Sequence, residues 1–473
     1  MRRCRWGLLA CLLFTVGGGG ASARTILDLD VQRQPVSLAD WGDWWLDESG
    51  RSGLDDVLKL PESAFRPTAE RQLYPVKPGE ALWIRFTVPP APDFERWYLQ
   101  LPNPGLNKAT LFTRADAGWT FQSAGDLVPV AYWPLPNLHP ILPLQVSAAD
   151  VGRYMLRIES SSTFSTPIRF VSESGLSSEQ QRISLLHGVY FGLLTMVAVF
   201  GLISAAVMRD QAYLWFSLYA MAINVSVATG VGVAGLHLWP LNARWADAAE
   251  YVLPTLSFAP LLVFIAMAAS LRARSVVVFW LFCALAAGSL AAAVAAYLLP
   301  SPSRLQLLLG TVLLLSAVGV AGLAWAWYHG DRFARWLLLA FAPLVLALPF
   351  PLARWLALAP LNFWSQHAVQ LALGITLPAV FLLLILRSQE RRDYRRRITQ
   401  LDQVDPMTGL VNDDVFSHRL RGLIERSQRF NCQSAVVLVD FTNLHRLREE
   451  FGRKAVLEGA DLIELVAVAA LND

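Results

Sequence analysis

The residues best suited to binding chemistry lie between positions 24 and 176. This stretch holds seven tryptophans: Trp41, Trp44, Trp45, Trp83, Trp97, Trp119 and Trp133. Their flat aromatic faces could stack on sugar rings, but aromatic side chains are also enriched in cores and strands, so packing is the alternative for each one. The stretch has one histidine, His139, which stands alone, so no metal-ligand cluster is expected. The sequence alone also supports no serine–histidine–acid pattern there.

A second candidate begins at residue 405 with Asp-Pro-Met-Thr-Gly-Leu-Val-Asn. The apolar run 435–439 reads as a buried strand, and Asp440 ends it. Residues 405–412 resemble the opening of GGDEF domains, the fold of diguanylate cyclases. The resemblance implies a partial α/β domain over 405–473. It also implies that Asp440 and the backbone carbonyl of Phe441 hold Mg²⁺ or Mn²⁺, in a completed cyclase site only.

Several positions depart from the GGDEF pattern. Thr442 stands where the family has a second aspartate, and His445 stands where it has lysine. The family's guanine-reading asparagine is replaced by Arg448, which cannot accept a hydrogen bond, so Asn412 and Arg448 are degenerate nucleotide-site positions. The Gly-Gly-Asp/Glu-Glu-Phe hairpin, which supplies the second metal ligand, does not occur before Asp473. A chain of this sequence is expected to make no cyclic di-GMP. The alternative is an active diguanylate cyclase, if the native chain continues past Asp473.

Seven hydrophobic stretches, each about 20 residues or longer, separate these two regions. They are residues 183–207, 213–238, 251–271, 276–299, 305–328, 336–358 and 366–386. A helix of this length crosses a ~30 Å hydrocarbon core and satisfies its backbone internally, which lipid cannot do for it. Hydrophobic residues make up 54% of the sequence, as in a membrane protein with soluble ends. We therefore predict a seven-helix transmembrane domain over 177–387, and the capping-box spacing of Ser177 and Gln180 predicts its first helix start.

Arginines set the orientation of these helices. The breaks after the first, third and fifth stretches hold five of them, and the breaks after the second and fourth hold two: Arg209, Arg272, Arg274, Arg332 and Arg335 against Arg244 and Arg304. Six more follow the seventh stretch between Arg387 and Arg397. Basic residues concentrate on the cytoplasmic side, so the N-terminal region is predicted outside and the C-terminus inside, in contact with membrane lipid.

Residues 1–23 have the form of a secretory signal, with Arg2, Arg3 and Arg5 before an apolar run and Ala21-Ser22-Ala23 at its end. An uncleaved anchor helix is the alternative. Residues 24–176 form short alternating runs, such as 82–88 and 154–159, with further candidates at 98–101, 110–112, 141–146 and 168–171. Period-two alternation is typical of half-buried strands and predicts an all-β sandwich, jelly-roll-like in arrangement.

The chain from 24 to 387 resembles the bacterial seven-transmembrane receptors with diverse intracellular signalling modules. The motifs that carry the resemblance are Trp83-Ile84-Arg85-Phe86, Gly125-Asp126, Tyr154–Glu159 with Pro167-Ile168, His187–Gly192, and Arg209-Asp210 with Tyr213. The resemblance implies a receptor of the bacterial inner membrane whose sensor is a periplasmic jelly-roll domain. It also implies that carbohydrate-like ligands are candidates for that sensor.

Ionisable residues are scarce within the seven stretches, where His187, Arg354 and His367 lie near predicted ends. A transporter usually keeps a charge near the midplane, so a transporter is disfavoured. Asn224 is a candidate for an interhelical hydrogen bond, and five prolines predict distorted helices: Pro254, Pro260, Pro343, Pro349 and Pro378.

Residues 388–404 are Arg-rich and free of Gly and Pro, which predicts a cytoplasmic helical linker. Two arrangements of this linker fit the sequence equally well. One is a parallel two-chain helix that makes the receptor a homodimer, and the other is a single solvated helix. The leading hypothesis is a signalling receptor whose GGDEF-like module is catalytically inactive in this sequence and passes the conformational state of the receptor to cytoplasmic partners. The basic residues are accounted for by topology, so nucleic acid is not an expected partner.

Overall fold

The structure, a computed structural model, describes residues 35–401 with gaps, and helical residues at 415–417, 420–421 and 423–424. The gaps are at 40, 70–72, 75, 91–95, 116–117, 147–150, 161–163, 165–166 and 356–362. The predicted signal at 1–23 and the GGDEF-like positions Asn412, Asp440, Phe441 and Arg448 lie outside the described residues. The chain divides into two compact units, Met1–Phe381 and Leu382–Asp473, and the first contains every site discussed below.

The N-terminal domain, residues 36–172, consists of two antiparallel sheets. Its strands are β1 (Val36–Ser37), β2 (Gly42–Asp47), β3 (Arg66–Pro67), β4 (Ala81–Val88), β5 (Trp97–Gln100), β6 (Lys108–Ala115), β7 (Gly118–Ala124), β8 (Ile141–Leu144), β9 (Gly152–Glu159) and β10 (Arg169–Ser172). The four-stranded sheet has the order β1-β10-β5-β8, and the six-stranded sheet has the order β3-β2-β4-β9-β6-β7.

One shared core holds the two sheets face to face. In the six-stranded sheet, Leu82, Ile84 and Phe86 of β4 point inward, and the inner side chains of β9 do the same. They pack against Leu99 and Phe170 of the other sheet, because alternate residues of a strand face one side. The strands predicted from alternation are confirmed. The jelly-roll arrangement stays a prediction.

Eleven helices occur among the described residues between 35 and 401, one in the N-terminal domain and ten after it. They are α1 (Leu54–Leu58), α2 (Glu173–Met208), α3 (Gln211–Gly230), α4 (Val233–His237), α5 (Ala243–Ala268), α6 (Leu271–Arg274), α7 (Val276–Leu298), α8 (Ser301–Tyr328), α9 (Arg332–Ala347), α10 (Pro349–Trp355) and α11 (Phe363–Leu401). Helices α2 to α11 form the helical domain. Seven segments of this domain are long and apolar enough to cross a membrane, which confirms the predicted number.

Several helix limits differ from the prediction. Helix α2 begins at Glu173 with Ser172 as its N-cap, so the capping box predicted at Ser177 and Gln180 is wrong. The second stretch is broken after α3, where Gly232 adopts a φ of 82° before the short helix α4. The sixth stretch divides into α9 and α10 at Pro349, because proline suits the first turn of a helix better than its interior.

The predicted interhelical contact of Asn224 is confirmed, since its Nδ2 donates to Thr195 Oγ1 of α2 at 3.2 Å. The turn between α2 and α3 explains the Arg209-Asp210 motif. Arg209 takes a left-handed conformation with a φ of 50°, and the Asp210 carboxylate accepts a hydrogen bond from the Ala212 N–H at 2.9 Å. Asp210 therefore caps α3 and sets a tight reversal.

Candidate functional site at the junction of the two domains

The first contact between the domains is covalent. Ser172 is both the last residue of β10 and the N-cap of α2, so strand and helix follow one another without a linker. Its buried Oγ accepts a hydrogen bond from the Gly175 N–H at 3.3 Å, and the Glu173 N–H donates to the Arg96 carbonyl at 2.9 Å. A shift of β10 within its sheet must therefore move the start of the first membrane helix.

A hydrogen-bonded chain reinforces this contact. Gln100 Nε2 of β5 donates to His139 Nε2 at 2.9 Å and to Glu179 Oε2 of α2 at 3.2 Å. Burial, with a smaller contribution from Arg169, lowers the pKa of His139 to about 4, so its ring is neutral and can accept. His139, which the sequence leaves without partners, thus helps to join the sandwich to the helical domain.

A second contact forms where α3, α4 and α5 meet the loops of the N-terminal domain. The Ala131 N–H donates to the Pro240 carbonyl at 3.1 Å, and Leu236 of α4 packs against the sandwich core. Gly232 is forced by this approach, because a Cβ there would lie 1.9 Å from the Leu138 carbonyl oxygen. The domains are therefore closely packed here.

Three carboxylates gather beside this contact, namely Asp126 of the N-terminal domain and Asp247 and Glu250 of α5. Asp247 forms a salt bridge with Arg304 of α8, whose Nε also donates to the Leu299 carbonyl at 2.7 Å. Burial raises the pKa of Asp126 well above its usual range, and the charges of Asp247 and Glu250 raise it further. Asp126 is therefore held in its neutral form over a wider pH range than an exposed aspartate.

Gly105 lets the Glu250 carboxylate approach the N-terminal domain, since a Cβ at this position would lie 2.5 Å from Glu250 Oε2. Gly125, with a φ of 140°, packs against the backbone of Asn107 and thereby places the next residue, Asp126, in the junction. This geometry gives a physical reason for the Gly125-Asp126 motif.

A cavity of about 40 Å³ lies between Asp126 and Glu250. Three buried polar atoms of its lining residues have no protein hydrogen-bond partner in the part of the chain that the structure describes: Asp126 Oδ1, Asn137 Nδ2 and Trp239 Nε1. Ordered water is the usual partner of such atoms, and a polar cavity of this size has room for it. The described residues contain no group of three His, Cys, Asp or Glu side chains that could hold a metal ion.

Asp126→Asn is expected to remove a pH dependence of stability. A raised pKa means that the folded state binds more protons than the unfolded state, so wild-type stability falls as pH rises from about 4 toward the raised value. The asparagine variant should be at least as stable at neutral pH, and its advantage should vanish in acid. Thermal unfolding across pH in detergent measures this, and His139 contributes equally to both proteins. A constant difference at every pH would contradict the assignment.

A larger cavity, about 230 Å³, lies within the helical domain and also reaches Glu250. Its walls come from α3, α5, α8, α9, α10 and α11, and they are mostly apolar. Glu250 therefore borders both the junction cavity and the bundle cavity. Sequence reasoning missed Asp247 and Glu250, because the third stretch was predicted to begin at 251, whereas α5 begins at Ala243.

The tryptophans have mixed environments. Trp44, Trp83, Trp97 and Trp133 are buried, so packing accounts for them, and Trp41 packs against the sandwich core. Trp45 and Trp119 are partly exposed on the outer face of the six-stranded sheet. Sequence reasoning missed Phe121, which lies on that face and is 73% exposed.

These aromatic residues form a surface on the outer face. Phe112 stacks on Trp83 with ring centroids 5.6 Å apart, and Phe121 lies 6.1 Å from Phe112. Trp119 is two residues before Phe121 on β7, hence on the same side, and the Arg114 guanidinium lies 5.9 Å from its ring. We call Phe112, Trp119 and Phe121 the aromatic surface.

Comparison with known families covers both domains. Residues 183–389 match the family model described as 7TM diverse intracellular signalling, and residues 39–172 match the model described as 7TMR-DISM extracellular 2. No curated protein matches the chain. The two matched segments correspond to the helical domain and to the sandwich. The protein is therefore a seven-transmembrane receptor with an extracellular sensor domain.

Proposed function

We propose that this receptor sits in a bacterial inner membrane and converts ligand binding on its extracellular domain into a movement of its helices. The movement would reach a cytoplasmic GGDEF-like module. The observation that carries the proposal is the direct continuation of β10 into α2 at Ser172. The close packing at Gly232, with the carboxylates beside it, is a second contact through which the sandwich can move the helices.

A two-residue Gly-Ser insertion between Ser172 and Glu173 tests this transmission. It should leave ligand binding intact but abolish ligand-induced changes of hydrogen exchange in α2 and α5. The same insertion after Gly330, in the turn between α8 and α9, is the control, because it lengthens a connection within the helical domain and not the one between β10 and α2. Transmission that survives the first insertion would exclude the direct connection as the route.

For the ligand, we propose a carbohydrate that stacks on the aromatic surface. Exposed aromatic rings on a flat sheet face offer area without a large loss of side-chain entropy, and Arg114 adds a hydrogen-bond donor beside them. The four buried tryptophans take no part in this proposal.

Phe121→Ala should weaken sugar binding about tenfold, the loss expected for one aromatic contact of ~1.4 kcal/mol. Tyr132→Ala is the matched control, because Tyr132 is 72% exposed, against 73% for Phe121, but lies outside the six-stranded sheet. Titration of a panel of mono- and disaccharides, followed by tryptophan fluorescence, measures the affinity. Equal losses in both variants, or no response to any sugar, would contradict a carbohydrate site here.

For the output, we propose that the GGDEF-like module relays state and is not a cyclase. Thr442, His445 and Arg448 stand in place of an aspartate, a lysine and the guanine-reading asparagine of the cyclase pattern, and Arg448 cannot accept a hydrogen bond from guanine. The purified protein should form no cyclic dinucleotide from GTP with Mg²⁺ or Mn²⁺. Product that disappears in Asp440→Ala would instead support the alternative, an active diguanylate cyclase.

The connection to that module is α11, which continues as a helix to Leu401. A continuous helix suits a linker that carries rotation or register shifts, and we propose that two copies pair through residues 388–404. Crosslinking of single cysteines placed along this stretch, read for heptad periodicity, distinguishes a paired helix from a solvated one.

A further inference from the structure

We propose that the helical domain is itself a ligand-binding unit. Its bundle cavity would take a small amphiphile with an apolar body and a hydrogen-bond-donating head group, of the primary amine or alcohol class. This site lies apart from the aromatic surface, so the receptor would respond to two inputs. The proposal does not depend on carbohydrate binding.

The volume sets the size of the ligand. Apolar cavities of about 150 Å³ in other proteins hold benzene, so a cavity of about 230 Å³ holds a somewhat larger molecule, roughly nine to twelve non-hydrogen atoms. An octyl chain with a small head group falls within this range. Most lining side chains are aliphatic or aromatic, as in ligand sites generally, and a few polar groups fix the orientation.

The polar groups select the head group. Glu250 lies in the second turn of α5, and Gln366 and Gln370 lie in the first turns of α11. As the third and the seventh of the membrane-spanning segments, α5 and α11 run in the same direction, so these three side chains lie toward one end of the cavity. Gln370 Oε1 lies 2.9 Å from His367 Nδ1, and Tyr219 and Ser226, which are 2% and 8% exposed, add hydroxyl groups to the wall. The amides and hydroxyls can donate as well as accept, so the Glu250 carboxylate, which only accepts when it is ionised, is the group that favours a donating head.

Charge around this end argues against an anionic head group. Glu250 lies beside Asp126 and Asp247, and the Asp247 carboxylate is paired with Arg304. A ligand carboxylate next to Glu250 would add a like charge in a mostly apolar cavity, which costs affinity. An amine or a hydroxyl carries no such penalty.

The cavity is also placed to influence signalling. Pro254 lies on its wall within α5, one turn after Glu250, and removes a helical hydrogen bond at that point. Helix α5 can therefore bend there at low cost, one turn from Glu250, which borders both cavities. Occupancy of the cavity would thus favour one position of Glu250 at the N-terminal domain.

The test measures saturable binding of radiolabelled octylamine to the receptor in lipid nanodiscs, with competition by octanol and by octanoate. We expect octanol to compete and octanoate to compete at least tenfold more weakly. Ser226→Leu, which fills the cavity, should abolish saturable binding. Gly230→Leu is a second blocking variant, since Gly230 lines the cavity and has open space at its Cβ position.

Gly288→Leu of α7 is the matched control, because Gly288 also has open space at its Cβ position but does not line the cavity. It should bind octylamine as the wild type does. Glu250→Gln should keep octanol competition while losing the discrimination against octanoate. Non-saturable partition equal in all variants would mean that bilayer lipid alone occupies the cavity and would overturn the proposal. Equal competition by octanoate would overturn the head-group assignment.

Discussion

Gly232→Ala is expected to open the junction between the two domains. A left-handed conformation costs a non-glycine residue about 1–2 kcal/mol, and the new Cβ would also lie 1.9 Å from the Leu138 carbonyl oxygen. The backbone at Gly232 or at Leu138 must move, since the Leu138 oxygen belongs to the backbone and a Cβ is fixed to its own Cα. Residues 126–138 and 229–240 should therefore exchange amide hydrogens faster than in the wild type, by at least tenfold.

Gly330→Ala separates the two causes. Gly330 has a φ of 91°, close to the 82° of Gly232, but nothing lies within 4 Å of its Cβ position. This variant should lose only about 1 kcal/mol and should leave exchange at the junction unchanged. Similar behaviour of the two variants would mean that the Leu138 contact contributes nothing to holding the domains together.

Arg304→Met is expected to destabilise the receptor by about 3 kcal/mol, because it leaves the largely buried side chain of Asp247, 14% exposed, without its partner and beside two further carboxylates. The Leu299 carbonyl also loses a donor. Thermal unfolding in detergent, with urea titration of the solubilised protein as a second measure, gives the size of the loss.

A double-mutant cycle with Asp247→Leu isolates the ion pair. Asp247→Leu alone should also destabilise, because it strands the guanidinium, whereas the double variant should recover a large part of either loss. Additive losses would show that Arg304 acts through Leu299 and helix packing, and that its charge is unimportant for Asp247.

The sequence was sufficient where one periodicity dominates. Strands β4 and β9 alternate in most of their length, and seven apolar stretches of about 20 residues follow one another, so both domains could be predicted. The starts of the helices were harder to predict from the sequence. Both Ser172 and Ser177 are residue types that can cap the start of α2, and the capping-box spacing favoured Ser177. The structure places the N-cap at Ser172, because this residue ends β10 and already has the extended conformation that an N-cap needs.

The junction could not be predicted, because its residues come from distant parts of the chain. Asp126 and Glu250 meet only when the sandwich rests on the helices, and neither has a local pattern that marks it. Glu250 and Asp247 lie in the polar start of α5, which the predicted hydrophobic stretch leaves out because it begins only at residue 251. The tryptophan hypothesis stays a prediction, and the exposed ring of Phe121 on a sheet face could not be found from composition.

The position of β10 has a consequence for biogenesis. This strand lies between β1 and β5, yet it is the last of the sandwich to be synthesised and is followed at once by the first membrane helix. The four-stranded sheet can therefore be completed only after the chain has been synthesised up to the start of α2. Until β10 is in place, the edges of β1 and β5 with which it pairs are open, and open strand edges are prone to aggregation. Folding of the sensor is therefore completed at the point where synthesis of the membrane domain begins.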